Sequence, residues 1–322
     1  MRKQNSKFNT NFISEEGSSL KNSDFFAYAE LDNFACYVLA DGIEDVADSE
    51  SAKEAVESII AKFQEKPSIS KGKIHGYLKH ANEVLLKAEK YMKLKASIVV
   101  AVTDYENVRF GYAGNVRAKL YRNNKTFYKT IDTSLSSEMV SKEMISEDAL
   151  SRHEQRSNLY TFLGQKGFSP VISGKIKLVD TDILILYTKG VWENVSEGEI
   201  DNIFAESGKD PKDALLKVEA VLLDKNLGYI DNYTIAGIYI DKVFIESDTK
   251  KKKRRKLILI VSIASVVVIL GAIIALYFYK KYTRELKEDM NTHYEKMLKF
   301  IEMENYTKAD TECEESIKKA ES

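Results

Sequence analysis

Cysteine, proline and histidine are scarce in this 322-residue chain, with two, three and four copies respectively. No CxxC pair and no histidine cluster occurs, so a zinc site has no ligands to draw on. Cys36 lies in the apolar run 34–40 and reads as a buried core residue rather than a nucleophile. Three prolines and 15 glycines, with 44% hydrophobic residues, exclude a disordered or fibrous chain. The N-terminus, Met1-Arg2-Lys3-Gln4-Asn5-Ser6-Lys7, has no apolar stretch behind it, so no secretory leader is expected. Excess positive charge is also missing from most of the chain. Residues 1–249 carry 32 basic and 38 acidic side chains, a net of −6, which is no nucleic-acid footprint.

The basic charge is concentrated instead in residues 250–256, Lys-Lys-Lys-Lys-Arg-Arg-Lys, a run of +7. The next segment, 257–279, has no charge at all. At 1.5 Å per helical residue it reaches roughly 34 Å, against a hydrocarbon core of about 30 Å. Tyr277 and Tyr279 stand at one end, where amphipathic rings favour the headgroup layer. Four parts are therefore expected: a domain over 1–249, a juxtamembrane run over 250–256, a single transmembrane helix over 257–279, and a tail over 280–322. Basic residues crowd the N-terminal side of the span. The positive-inside rule then puts 1–249 in the cytoplasm and the C-terminus outside, with the chain in the plasma or inner membrane. A nuclear localisation signal is the rival reading of the basic run. Contact with the span favours stop-transfer and anionic lipid.

Within 1–249, β-rich segments lie at 34–40, 97–103, 108–113, 118–122, 182–187 and 234–240. Asp104 to Asn107 reads as a turn, and Asn123-Asn124 as a hairpin tip. Helical spacing places Ala52, Ala55, Val56, Ile59, Ile60 and Phe63 on one face. Residues 74–92 repeat that pattern, as do 214–223. Strands and helices mix without regular alternation. This predicts an α+β architecture, with an antiparallel core and helices packed outside.

Several short segments then fall in a fixed order. Gly17, Asn22-Ser23-Asp24 and Leu39-Ala40-Asp41-Gly42 come first. Tyr112-Ala113-Gly114-Asn115-Val116-Arg117 and Thr130-Ile131-Asp132-Thr133-Ser134-Leu135 follow. Next are Ile145-Ser146-Glu147-Asp148-Ala149, His153, Arg156-Ser157-Asn158-Leu159 and Leu163-Gly164. Leu184 to Trp192, reading LILYTKGVW, and Ile230-Asp231-Asn232-Tyr233-Thr234 complete the set. In this order the segments resemble the NED, aDG, vGDSR, LTxDHSL, flap, LLcSDGlw and sDNiT motifs of the bacterial PP2C-type serine/threonine phosphatases. The match spans residues 17–240.

The resemblance implies an α-β-β-α sandwich whose acidic residues hold two or three Mg²⁺ or Mn²⁺ ions. Such hard cations want carboxylate oxygens and water, and a metal-bridging hydroxide would attack a phosphoserine or phosphothreonine. By the same resemblance, Asp41 matches the metal-bridging aspartate, Gly42 its neighbouring carbonyl, Asp231 the last metal-binding aspartate, and Asp24 the aspartate of NED. Four other positions depart from the pattern. Ser23 replaces the glutamate of NED, Lys189 the aspartate of SDG, and Asn115 the aspartate of GDSR. Ser19 stands where the phosphate-holding arginine is expected, and Glu44-Asp45 replaces a Gly-Gly pair. Lysine cannot coordinate Mg²⁺ at neutral pH. Asp41, Asp231 and Lys189 sum to −1, where three aspartates would give −3. No catalytic residue and no metal are therefore expected. If an ion is held, Asp41 and Asp231 are the positions that remain. In the alternative, Lys189 points away, Asp41, Asp24 and water hold one Mg²⁺ or Mn²⁺, and weak phosphatase activity survives. A helix-cap or turn role for Asp24, and core packing for Trp192, are the plainer readings of those residues.

In the tail, Leu286, Met290, Tyr294, Met297, Leu298 and Ile301 keep helical spacing, and Glu304-Asn305 breaks it. Tyr306, Ala309, Cys313, Ile317 and Ala320 then continue. The pair resembles a tetratricopeptide helix pair, which cannot bury its face alone. Self-association through the tail follows as an expectation, with an unpartnered amphipathic stalk as the alternative. The whole reads as a membrane-anchored pseudophosphatase-like scaffold or signalling protein. Its expected partner is a phosphoprotein, a kinase or a membrane complex. A purely structural component of a membrane assembly is the further option.

Overall fold

The structure, a computed structural model, describes residues 3, 5–43, 50–88, 93–208, 210–225, 228–245 and 248–321, with the side chains of 148 and 248–255 excepted. The chain divides into two compact units, Met1–Ile245 and Glu246–Ser322.

The first unit is two antiparallel sheets with helices outside both. Its strands are β1 (Lys7–Glu15), β2 (Asp24–Glu30), β3 (Ala35–Gly42), β4 (Ala96–Thr103), β5 (Asn107–Ala113), β6 (Arg117–Arg122), β7 (Lys125–Lys129), β8 (Val171–Ile172), β9 (Ile176–Lys177), β10 (Ile183–Tyr187) and β11 (Tyr233–Lys242). The helices are α1 (Ser51–Glu65), α2 (Lys71–Ala88), α3 (Leu135–Ser141), α4 (Glu147–Leu150), α5 (Lys189–Trp192), α6 (Glu197–Ala205) and α7 (Pro211–Asp224). One sheet runs β1-β11-β10-β6-β7. The other runs β2-β3-β4-β5-β8, with β9 also on β5.

Three apolar layers follow from strand alternation. On β3, Val38 and Ala40 face α1 and α2, where Ala55, Ile59 and Leu78 cover them. Tyr37 and Leu39 face the opposite sheet and meet Phe110, Leu120, Leu186 and Ile238. Outside that second sheet, Tyr187 and Ile235 pack with Trp192, Phe204 and Leu215 beneath α6 and α7. With both faces covered, β3 and β4 lose the polar alternation of a half-exposed strand.

The six expected strands fall on β3, β4, β5, β6, β10 and β11, with ends displaced by up to two residues. Phe34 lies outside β3. Asn123 and Asn124 take φ of +50° and +60°, the left-handed pair that a tight hairpin between β6 and β7 requires. The edge strands β1, β2, β7 and β8, and the short β9, have no counterpart among the expected strands. Edge strands expose one margin, so their sequences, such as Lys-Phe-Asn-Thr-Asn-Phe in β1, lack a clean pattern. Helix α2 starts at Lys71, three residues earlier than expected, and residues 89–92 lie outside the described set. Helix α6, closed by a Ser196/Glu199 capping box, was also missed.

The second unit holds α8 (Asp248–Glu302) and α9 (Tyr306–Glu321). The expected span 257–279 and the first part of the tail lie on one continuous helix, because no Pro or Gly follows Gly271 and i,i+4 pairs such as Lys281 with Glu285 support the charged part. Its most apolar 18-residue window has a mean hydropathy of 3.2 with none of it buried, so by length and composition it is able to cross a membrane. Glu304, at φ +54°, ends the helix where the pattern breaks. Helix α9 then folds back on α8. Ser316 donates to the Met290 carbonyl at 3.2 Å, His293 meets Glu312, and Ala309 is buried in the seam.

Candidate functional site

The substituted and retained motif positions meet at one edge of the sandwich. Asp24 sits opposite Asp41 in the β2–β3 register, which brings two carboxylates together across a hairpin. Asp24 is the first residue of β2, and its side chain bonds across to Thr188 rather than capping a helix or turn. Its backbone N–H donates to Asn22 Oδ1 at 2.9 Å, and its Oδ2 accepts from Thr188 Oγ1 at 2.7 Å. Thr188 accepts in turn from the Thr234 N–H at 2.9 Å, tying the end of β10 to β11. Asp24 Oδ1 is buried without a hydrogen-bond partner.

Helix α5 brings Lys189 to this pair. Its Gly190 lies so close to the segment before β11 that a Cβ would stand 2.1 Å from the Asn232 carbonyl oxygen. Only glycine permits that approach, and it sets position 189 beside Asp231. The Lys189 ammonium lies 2.8 Å from Asp231 Oδ2, with both side chains partly exposed. Lys189 therefore faces into the site, and the alternative in which it points away does not hold. Asn232 fastens the neighbouring loop. Its Nδ2 donates to the Glu16 carbonyl at 2.7 Å, and its Oδ1 accepts from the Ser23 N–H at 3.0 Å.

Electrostatics here are dominated by burial. Desolvation pushes Asp24 up to about 7, against the lowering effect of the neighbouring Thr188 and Thr234 hydroxyls. Asp41 is also held well above the usual carboxylate range, first by burial and then by the Asp24 charge, with Lys189 pulling the other way. Burial opposes the charge on Lys189, but the bond to Asp231 and the charges of Asp231, Glu193 and Asp41 outweigh it and raise its pKa.

The other motif positions line the same cleft of about 620 Å³, among them Ser19, Ser23, Gly42, Asn115, Lys189 and Asp231. Asn115 is 4% exposed, its Oδ1 accepting from Ser97 Oγ at 2.8 Å and its carbonyl from Trp192 Nε1 at 2.9 Å. Gly114, at φ +96°, is needed for this packing, since a Cβ would come within 2.0 Å of Ser97 Oγ. Trp192 is thus core packing, with a hydrogen bond from its Nε1 and the Arg117 guanidinium over its ring. Ser19 Oγ shares a 3.1 Å bond with the Tyr229 hydroxyl. Glu44 and Asp45 lie outside the described residues.

No family model matches the sequence, and no curated protein does either. Solved structures do match. Serine/threonine phosphatase Stp1 from Staphylococcus aureus superposes with a TM-score of 0.65 at 19% identity, covering 76% of this chain and 97% of that one. The S. agalactiae serine/threonine phosphatase gives 0.63 at 19%, covering 73% and 100%. The Mycobacterium tuberculosis phosphatase PstP/Ppp gives 0.61 at 16%, covering 73% and 99%. The domain has the fold of the bacterial PP2C-type phosphatases. At these identities the likeness speaks for the PP2C fold alone.

One structure of the PstP catalytic domain is a complex with two manganese ions. The residues of this chain do not fit such a pair of ions. An ammonium group takes the Asp231 oxygen, Asn115 spends its side-chain oxygen on Ser97, and Ser23 offers no carboxylate. Among the described residues, no group of three or more His, Cys, Asp or Glu is placed to hold a metal. Three contributors to the site escaped the sequence reading. Thr188 and Asn232 stood inside quoted motifs without an assigned role, and Ser97 carried no signal.

Proposed function

We propose that this chain is a membrane-anchored, catalytically silent PP2C-fold protein that works as a binding, scaffold or signalling element. The observation that carries the reading is the Lys189–Asp231 ion pair at 2.8 Å, where catalysis would need a divalent cation. A fixed ammonium holds no reactive water for attack on phosphorus, and it repels an incoming metal ion. Ser19 supplies no charge for a substrate phosphate, which arginine would grip bidentately. The domain lies on the cytoplasmic face, in keeping with the basic run at 250–256, and the part of α8 beyond residue 279 lies outside together with α9. Its partner is a protein: a phosphoprotein, a kinase or a membrane complex.

One observation favours a second reading. Asp24 Oδ1 is buried and unpartnered beside Asp41, which leaves oxygen for a single Mg²⁺ or Mn²⁺ and a weak phosphatase. A single assay separates the two. The purified chain is offered a phosphoserine peptide and a chromogenic phosphate ester with Mn²⁺, and its metal content is measured in parallel. No turnover and no stoichiometric metal is the expected result. Phosphate release abolished by Asp41→Asn would overturn the silent reading.

A further inference from the structure

We propose that Lys189 is the structural cation of this domain, its ammonium group standing in for a divalent ion in holding Asp231 against the Asp24–Asp41 pair. The proposal rests on the misfit between these residues and a metal pair, and so on the silent reading of the site. It adds that the misfit is compensated within the chain.

Three carboxylates reach the site from separate segments. Asp24 comes from β2, Asp41 from β3, and Asp231 from the segment leading into β11. Held together without a cation, like charges in a partly buried site repel strongly. The main chain does not let them separate. Asp24 and Asp41 are locked by strand register. Asp231 is locked because its neighbour Asn232 bonds back to Glu16 and Ser23 and its carbonyl abuts Gly190. The same Gly190 contact forces whatever stands at 189 to face the carboxylates. Burial answers part of this by favouring the protonated forms of Asp24 and Asp41; the negative charge that remains calls for a cation, mobile or built in, and the side chain at 189 decides which. Lysine brings its charge on a flexible stem and reaches Asp231 Oδ2 directly. Among the described residues, Glu193 also lies near Lys189 but has a cation of its own, accepting from Arg156 Nε. Lys189 is left to the aspartates. An acidic residue at 189 would turn the −1 of Asp41, Asp231 and Lys189 into −3 and demand an ion from solution.

The test uses the full chain in detergent. The single tryptophan, Trp192, is buried in α5 three residues beyond Lys189, so its fluorescence reports unfolding of this domain. Wild type, Lys189→Ala, Lys189→Arg and Lys189→Asp are melted in chelator and again with excess Mn²⁺. Wild type should melt at the same temperature in both. Lys189→Arg should stay close to it. Lys189→Ala should lose roughly 5–10 °C, the cost of leaving partly buried carboxylates unpaired. Lys189→Asp should lose more in chelator and recover with Mn²⁺, because the ion then binds only the folded state. A merely structural lysine would not create that metal-dependent recovery. A wild type strongly stabilised by Mn²⁺, a Lys189→Ala chain that melts unchanged, or a Lys189→Asp chain indifferent to metal would each overturn the proposal. If the variants fail to fold, the wild-type comparison with and without Mn²⁺ still decides. Turnover by the wild type is read separately as phosphate release, so failure of the silent reading is distinguishable from failure of this one.

Discussion

Removing Arg117 should unlock the side of the domain that carries Trp192 and α5. The guanidinium donates from Nε to Asp132 Oδ1 at 3.0 Å and from Nη2 to Asp132 Oδ2 at 2.7 Å. Its Nη1 reaches Glu197 Oε1 at 2.7 Å, and its plane lies 4.0 Å over the Trp192 ring. The side chain of Asp132 is only 3% exposed, so Arg117→Ala strands a buried carboxylate. Breaking such a pair costs about 3–5 kcal/mol, and loss of the ring contact adds about 1 kcal/mol. Arg117 also lines a cleft of about 230 Å³, through which water would reach Asp132 once the guanidinium is gone, so the lower half of that range applies. A loss of about 4 kcal/mol corresponds to a Tm drop of roughly 8–16 °C for a domain of this size.

The assay is again Trp192 fluorescence on heating, with two further variants. Arg117→Ala with Asp132→Ala removes both charges and should be more stable than Arg117→Ala alone, because the cost lies in the stranded carboxylate. Glu197→Gln should cost less, since Arg117 keeps Asp132 and Lys119 keeps Asp201 at 2.7 Å. Burial would raise the Glu197 pKa, but the charges of Arg117 and Lys119 outweigh it and hold it below the usual glutamate range. An acid whose folded pKa is depressed stabilises above its unfolded pKa and loses that contribution as pH falls through the folded value. The Tm gap between wild type and Glu197→Gln should therefore narrow as pH falls below the ordinary glutamate range. A double variant no more stable than Arg117→Ala, or a Glu197→Gln variant worse than both, would refute this account.

Two other expectations are quickly checked. Gly190→Ala drives a Cβ to within 2.1 Å of the Asn232 backbone oxygen and should cost about 3 kcal/mol or more; an unchanged melt would contradict the close approach of α5. For orientation, exposed cysteines are placed at Lys296→Cys and Lys79→Cys in a Cys313→Ser background. An impermeant thiol reagent on intact cells should label the first and not the second, and the reverse would invert the assigned topology.

By itself the sequence determined whatever depends on neighbours along the chain. The charge-free run 257–279 marks a helix long and apolar enough to cross a membrane because hydropathy is summed locally, and the break at Glu304-Asn305 marks the tail hairpin for the same reason. Asn123-Asn124 announces its hairpin because few residues accept two successive left-handed conformations. The resemblance of the ordered segments to PP2C motifs brought Ser19, Ser23, Asp24, Asp41, Asn115, Lys189 and Asp231 under suspicion as one site. Only the tertiary structure decided what these residues do to one another. Lys189 and Asp231 are 42 positions apart, and their contact depends on a backbone approach at Gly190 that no local pattern encodes. Asp24 faces Asp41 through strand register and is fixed by Thr188, which lies 164 positions away. The edge strand β1 took its place only by pairing with β11, the last strand in the chain. Such long-range pairings are chosen by the cooperative burial of whole layers, and a local window holds only one of the partners.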